Sequence, residues 1–211
     1  MKRKIENIFH ILKGYINQET MVSRFVKKGY TPFQILVATI LSARTKDELT
    51  EKVSEKLFKE IKEPKDLLKF SEKELREKIY PVGFYNSKAK NLIKLAKLLE
   101  EKYNGKIPSD EKELLKLPGV GRKTANIILS YVFNIPTIAV DTHVHRIFNR
   151  LGFVKTKKPE ETEIQLKKIV PRNLWKDINN LFVIFGKNIC KPKKPNCKMC
   201  PIRKFCYSAR L

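Results

Sequence analysis

The chain of 211 residues has no apolar run long enough to cross a membrane. Its most apolar stretch, residues 33–43, is about half as long as the ~20 residues that a bilayer span needs, and it contains polar side chains. The basic N-terminus is followed by Glu6 and Asn7, so it lacks the uninterrupted apolar region of a signal peptide. We therefore expect a cytoplasmic protein, associated with the nucleoid in a prokaryote, and no membrane partner.

Acidic residues are scarce in this sequence. There are 22 Asp and Glu residues against 45 Lys and Arg residues, which gives a formal net charge of +23 at pH 7. Self-repulsion on this scale costs stability, so the excess favours a polyanionic partner; a lysine-rich surface without a partner is the alternative. The apolar fraction of 42% is that of a folded protein and excludes disorder over most of the chain.

Strand patterns are also missing, because no run of alternating apolar and polar residues is long enough to form a sheet. The best candidate, residues 137–140, is too short. Helical periodicity is widespread, and the apolar residues between Ala89 and Leu99 fall on one helical face. Thr45 and Ser71, each followed three residues later by glutamate, are predicted to form capping boxes. We predict an all-α fold.

Residues 117–125, Leu-Pro-Gly-Val-Gly-Arg-Lys-Thr-Ala, predict two helices joined by a tight hairpin. The first helix ends at Pro118 and the second begins just after Gly121. Outward-facing amides of Gly119, Val120 and Gly121, together with the following helix N-terminus, can hold a DNA phosphate. Such an element binds the backbone rather than the bases. An ordinary turn between helices is the alternative.

Two residues near this hairpin carry groups suited to catalysis. Lys123 lies on the first turn of the second predicted helix, where the helix dipole favours a neutral, nucleophilic amine. Asp141 follows eighteen residues later and could stabilise a cationic sugar or relay protons. Spacing alone equally permits a phosphate-binding lysine and a helix-capping aspartate.

All the cysteines lie in the last 22 residues of the chain. They are Cys190, Cys197, Cys200 and Cys206. Four thiolates so close in sequence can form one tetrahedral metal site in a reducing compartment. The compact spacing with a single CxxC favours a [4Fe–4S] cluster over zinc, which remains the alternative.

The segment that contains the cysteines is strongly basic. Residues 187–211 include eight Lys and Arg residues and no Asp or Glu. Between the first two cysteines, Lys191, Lys193 and Lys194 are interleaved with prolines that stiffen the loop. These three lysines are candidate phosphate contacts.

Together these motifs resemble the endonuclease III family of the helix-hairpin-helix DNA glycosylases. The resemblance covers essentially the whole chain and rests on five segments: Leu41-Ser-Ala, Gly83-Phe-Tyr-Asn-Ser-Lys-Ala89, the hairpin, Pro136-Thr-Ile-Ala-Val-Asp-Thr-His143 and the cysteines. It implies that Lys123 is a Schiff-base nucleophile with Asp141 as its acidic partner, and that the cysteines hold a [4Fe–4S] cluster.

The resemblance also implies an activity. We expect a bifunctional DNA glycosylase and abasic-site lyase of base excision repair, which removes oxidised pyrimidines from double-stranded DNA and acts as a monomer. A monofunctional uracil or thymine mismatch glycosylase is the first alternative, against which Lys123 argues. A non-catalytic DNA-binding protein that uses the hairpin and the basic tail is the second.

Family members have two helical domains with a DNA-binding cleft between them. Carried over to this chain, residues 25–135 form a six-helix domain, and residues 1–24 join 136–211 in a cluster domain. Two DNA-contacting positions vary: Arg44 stands where many relatives have Gln, and Phe84 stands at the position of a wedging apolar residue. Arg44 could stack or reach a phosphate, and an aromatic ring at Phe84 could stack on the opposing strand. A phenylalanine in the core is the alternative for Phe84.

Overall fold

The computed structural model describes residues 1–209, and these form twelve α-helices and two short 3₁₀ helices without a strand. The predicted all-α class is therefore confirmed. Arg210, one of the eight basic residues counted in the tail, lies outside the described residues. No described helix is long and apolar enough to cross a membrane.

Contacts between Cα atoms divide the chain into two compact units. The first unit combines Met1–Thr20 with the residues from Pro136 onward, and the second is Met21–Ile135. The first unit contains four α-helices: α1 (Lys2–Tyr15), α10 (Thr142–Leu151), α11 (Pro159–Ile169) and α12 (Trp175–Asn188). The N-terminal helix α1 thus packs with helices that follow it by more than 120 residues, including α12.

The second unit contains eight α-helices within its described residues, six of them seven residues long or longer. They are α2 (Met21–Lys27), α3 (Pro32–Ser42), α4 (Asp47–Leu57), α5 (Pro64–Leu67), α6 (Glu72–Ile79), α7 (Tyr85–Tyr103), α8 (Glu111–Lys116) and α9 (Arg122–Tyr131). Every residue from Phe33 to Leu41 is buried, because α3 packs against α2, α4, α7 and α9. The most apolar stretch of the sequence is therefore the central core helix of this unit.

The two capping boxes predicted from sequence have different outcomes. The Ser71 hydroxyl accepts from the Glu74 amide, and the Glu74 carboxylate accepts from the Ser71 amide, as predicted. The prediction for Thr45 is wrong, because α4 begins one residue later with Lys46 at its N-cap and has no side-chain cap. The Thr45 hydroxyl instead accepts hydrogen bonds from residues about forty positions away, which a local pattern cannot register.

Candidate functional site

The predicted hairpin joins α8 to α9. Its turn is closed by the Val120 amide, which donates to the Leu117 carbonyl at 3.1 Å, and the Val120 side chain is buried. Gly119 has φ +81°, a conformation that residues with a Cβ rarely adopt, so glycine is required there by the backbone. The Val120 amide is therefore engaged within the turn, which leaves the neighbouring amides as the donors that could face an anion.

Neither the backbone conformation nor the neighbouring atoms of the chain require a glycine at position 121. Its φ of −97° suits any residue, and a Cβ built on it would meet no atom within 4 Å. The residue is the N-cap of α9 and is exposed. The space in front of it is therefore open at the positive end of a ten-residue helix, where an anion can approach the backbone closely.

Lys123 lies on the first turn of α9, two residues beyond Gly121, and its side chain is exposed. From the second residue after Lys123 the helix is covered by its neighbours, and residues 125–130 are buried. The apolar face of this helix thus fixes its orientation in the second unit, while its first turn stays at the surface. The amine of Lys123 is consequently carried next to the open N-terminus of α9.

Arg44 and Phe84 lie together on the surface of the same unit. The Arg44 guanidinium carbon is 5.6 Å from the centre of the Phe84 ring, a cation–π distance. Both residues have positive φ, 53° and 59°, and Phe84 is 62% exposed. A large apolar ring held at the surface in a strained conformation is more typical of a contact surface than of a core residue.

Asp141 belongs to the other unit and is the N-cap of α10. Its Oδ1 accepts hydrogen bonds from the amides of His143 and Val144, both at 2.9 Å. The side chain is half-buried. Both bonds are made to Oδ1, which fixes the orientation of the carboxylate. The other oxygen, Oδ2, takes part in neither bond.

The four cysteines line one cavity of about 110 Å³ in the unit that contains Asp141. Its other walls are largely apolar and include Ile147, Leu151, Phe185 and Ile202. No group of three or more His, Cys, Asp or Glu side chains within residues 1–209 is grouped closely enough to hold a single metal ion. Burial raises the pKa of the Cys200 thiol, so a metal group would be needed to favour its thiolate.

Two arginines of α10 hold the segment that contains the cysteines. Arg146 donates to the Cys190 carbonyl at 2.8 Å and to the Gly186 carbonyl at 3.1 Å. Arg150 donates to the carbonyls of Lys191 and Pro192 at 2.7 and 2.8 Å. Sequence reasoning missed both arginines, although their spacing of four residues on one helix was a signal.

The Arg150 side chain also reaches the sulfur of Cys190 at 3.4 Å, while its carbonyl accepts from Cys206 at the other end of the cysteine segment. Lys191, Lys193 and Lys194 are all exposed on the loop that Arg150 holds. The loop thus presents three cations to solvent from a backbone that is fixed to α10.

Lys123, the hairpin, Arg44 and Phe84 all lie in one unit, whereas Asp141 and the cysteine segment lie in the other. A helix-hairpin-helix element, an exposed lysine just after it and a basic cysteine segment are features suited to a protein that binds DNA. The model of the HhH-GPD superfamily of base excision DNA repair proteins matches residues 37–172.

The chain belongs to this superfamily and, within it, to the endonuclease III family. It is 50% identical over 188 residues to the endonuclease III of Thermotoga maritima, covering 88% of each chain. It is 40% identical to that of Escherichia coli over 83% of each chain.

Two solved structures are similar along the length of the chain. A non-covalent endonuclease III–DNA complex matches with a TM-score of 0.81 and 42% identity over 85% of each chain. A trapped endonuclease III–DNA covalent intermediate matches with a TM-score of 0.83 and 38% identity, covering 97% of this chain and 96% of the other.

Proposed function

We propose that this protein is a bifunctional DNA glycosylase and abasic-site lyase of base excision repair. The observation that carries the proposal is Lys123, an exposed amine on the first turn of α9 beside the open N-cap at Gly121. A phosphate bound at this helix end would bring the adjoining sugar within reach of the amine. The relative in the trapped DNA intermediate supports a covalent route, because the chain resembles it over nearly its full length.

The chemistry follows from an amine at the sugar. The Lys123 nitrogen attacks C1′, the bond from C1′ to the base breaks, and the base leaves with the bonding electrons and takes up a proton. Opening of the sugar ring leaves an imine between Lys123 and C1′. This imine acidifies the C2′ proton, whose removal expels the 3′ phosphate and cuts the strand by β-elimination.

Asp141 is the acidic partner in this proposal. A carboxylate stabilises the positive charge that develops on the sugar as the base departs, and can accept a proton from the lysine. The two amides of α10 hold Oδ1 in place, so the orientation of the carboxylate is set before substrate binds. Preorganisation of this kind lowers the cost of reaching the transition state.

The backbone of the DNA would be held at two places, one in each unit. The hairpin would provide the amides of Gly119 and Gly121, with open space at Gly121, and Lys191, Lys193 and Lys194 would provide charge on a fixed loop. These contacts are independent of base sequence. Arg44 and Phe84 would contact the duplex at the damaged base pair, and oxidised pyrimidines are the proposed substrates.

The cysteine segment would hold a [4Fe–4S] cluster. Its four thiols share one cavity with apolar walls, and a cavity of about 110 Å³ is larger than a single ion requires. Base removal and β-elimination transfer no electrons, so the group would act by fixing the fold of this segment. The residues that would hold it are Cys190, Cys197, Cys200 and Cys206.

Borohydride trapping on DNA tests the proposed function directly. The wild-type protein should form a covalent complex with a duplex that contains an abasic site, and Lys123→Gln should abolish it while DNA binding persists, because the hairpin amides remain. Lys112→Gln, at an exposed position of α8, is the matched control. Undiminished trapping and strand cleavage by Lys123→Gln would contradict the proposed nucleophile.

A further inference from the structure

Lys88 is a buried lysine on α7 that the proposed chemistry does not use. Its side chain is only 7% exposed. The ammonium group donates to the carbonyls of Leu41 and Ala43, both at 2.7 Å, and to the Thr45 hydroxyl at 3.2 Å. The Leu41 carbonyl lies at the end of α3 and the other two acceptors lie in the segment that follows it, all more than forty residues earlier in the chain. Lys88 therefore fastens the start of α7 to the end of α3.

The segments that Lys88 joins are in direct backbone contact. The Gly83 amide donates to the Thr45 hydroxyl at 3.0 Å, so this hydroxyl accepts from both Gly83 and Lys88. A Cβ built on Gly83 would lie 2.6 Å from the Arg44 carbonyl oxygen, which only glycine avoids. The loop before α7 and the loop after α3 are therefore joined by a shared set of hydrogen bonds.

These two joined loops contain the two surface residues Arg44 and Phe84. Arg44 lies between two of the acceptors of Lys88, and Phe84 directly follows Gly83. Both have positive φ, a conformation that side-chain-bearing residues adopt at a cost and keep only when the surroundings impose it. The bonds from Lys88 to the Ala43 carbonyl and to the Thr45 hydroxyl hold the residues on both sides of Arg44 and supply that constraint.

We propose that Lys88 is a positioning residue that holds Arg44 and Phe84 in the conformation with which they contact damaged DNA. The inference rests on the proposed function, because it assigns the pair to the DNA surface. A lysine suits this role because one ammonium group donates to three acceptors, which no apolar residue of similar length can do. Burial lowers the pKa of Lys88 to about 8, so the group remains mostly charged at neutral pH and keeps its three donors.

The test uses Lys88→Met, which keeps the length of the side chain and removes all three hydrogen bonds. Lys97→Met, on the exposed side of the same helix, is the matched control. Affinity is measured for a duplex with a tetrahydrofuran abasic analogue and for the same duplex undamaged, alongside thermal unfolding. We expect Lys88→Met to lose about tenfold in the preference for the analogue, with little change in binding to undamaged DNA, because the hairpin is untouched.

A double-mutant cycle separates positioning from general destabilisation. In a background with Arg44→Ala and Phe84→Ala, Lys88→Met should cause no further loss of preference, because the residues through which it acts are gone. The fluorescence of 2-aminopurine opposite the analogue, which reports unstacking, should be lower with Lys88→Met than with the wild-type protein, and equally lower with the Arg44 and Phe84 variant. Additive losses, or a preference unchanged by Lys88→Met, would overturn the inference.

Thr45→Val covers the case in which Lys88→Met fails to fold. It removes one acceptor of Lys88 and the partner of the Gly83 amide, and should lower the preference for the analogue in the same direction. An unchanged preference in a folded Thr45→Val protein would also overturn the inference. Failure of the proposed function is recognised separately, because the wild-type protein would then form no trapped complex with abasic DNA.

Discussion

Two substitutions of Asp141 can separate the structural role of its side chain from its proposed catalytic role. Its Oδ1 caps α10 through two hydrogen bonds of 2.9 Å. Asn caps helices about as well as Asp, so Asp141→Asn should lose only the charge–dipole contribution, about 0.3–1 kcal/mol. Asp141→Ala loses the cap as well, which adds about 0.5–2 kcal/mol. We therefore expect a clear fall in melting temperature for Ala and a small one for Asn.

Catalysis should not follow this order. If the carboxylate charge stabilises the transition state, both variants should lose about 10²–10³ in turnover, because both lack the charge. Single-turnover cleavage of an abasic duplex, corrected for the folded fraction, measures this loss, and binding to an uncleavable analogue measures affinity. The role would be refuted if Asp141→Asn cleaved at the wild-type rate, or if its affinity fell in step with its rate, which would identify Asp141 as a structural residue.

Three further predictions concern salt, acid and the cysteines. Affinity for an uncleavable abasic duplex should fall steeply as the salt concentration rises. The double variant Lys193→Ala, Lys194→Ala should flatten the slope of log affinity against log salt concentration by about 0.9 per lost phosphate contact. An unchanged slope would show that this loop is not part of the DNA-binding surface. Hydrogen bonds from Lys69 and from two backbone amides lower the pKa of Asp66 from 3.8 to about 2. Because the folded-state pKa is depressed, the stabilisation is nearly complete above about pH 4 and is lost as the pH falls through about 2. Asp66→Asn should therefore lower the melting temperature clearly at pH 7 and much less at pH 2. The purified protein should contain about four irons with broad absorbance near 400 nm, and Cys197→Ser should lower iron content and stability together, whereas a colourless protein with one zinc would contradict the cluster.

The elements that the sequence determined depend on neighbours along the chain. The helix over residues 89–99 can be predicted because its apolar residues recur every three to four positions. The hairpin is recognisable in residues 117–121 because Pro118 ends one helix and Gly119 must adopt a positive φ. The four cysteines were evident as one group because their separations along the chain are short. In each case the physical constraint acts within about twenty residues.

The hydrogen bonds between residues that are far apart in the sequence were decided only by the tertiary structure. Thr45 has the pattern of a helix cap, yet its hydroxyl is taken by Gly83 and Lys88, which reach it only after α3 and α7 have packed. Lys88 resembles any other lysine of a strongly basic chain until its three acceptors surround it.

The same holds for Arg150, whose partners lie about forty residues away in the cysteine loop. A buried polar group is stable only when its hydrogen bonds are satisfied, and the partners that satisfy it are chosen by the packing of helices rather than by local sequence. Local patterns therefore determined which chemical groups this protein carries, and only the fold decided which of them are held rigid and by what.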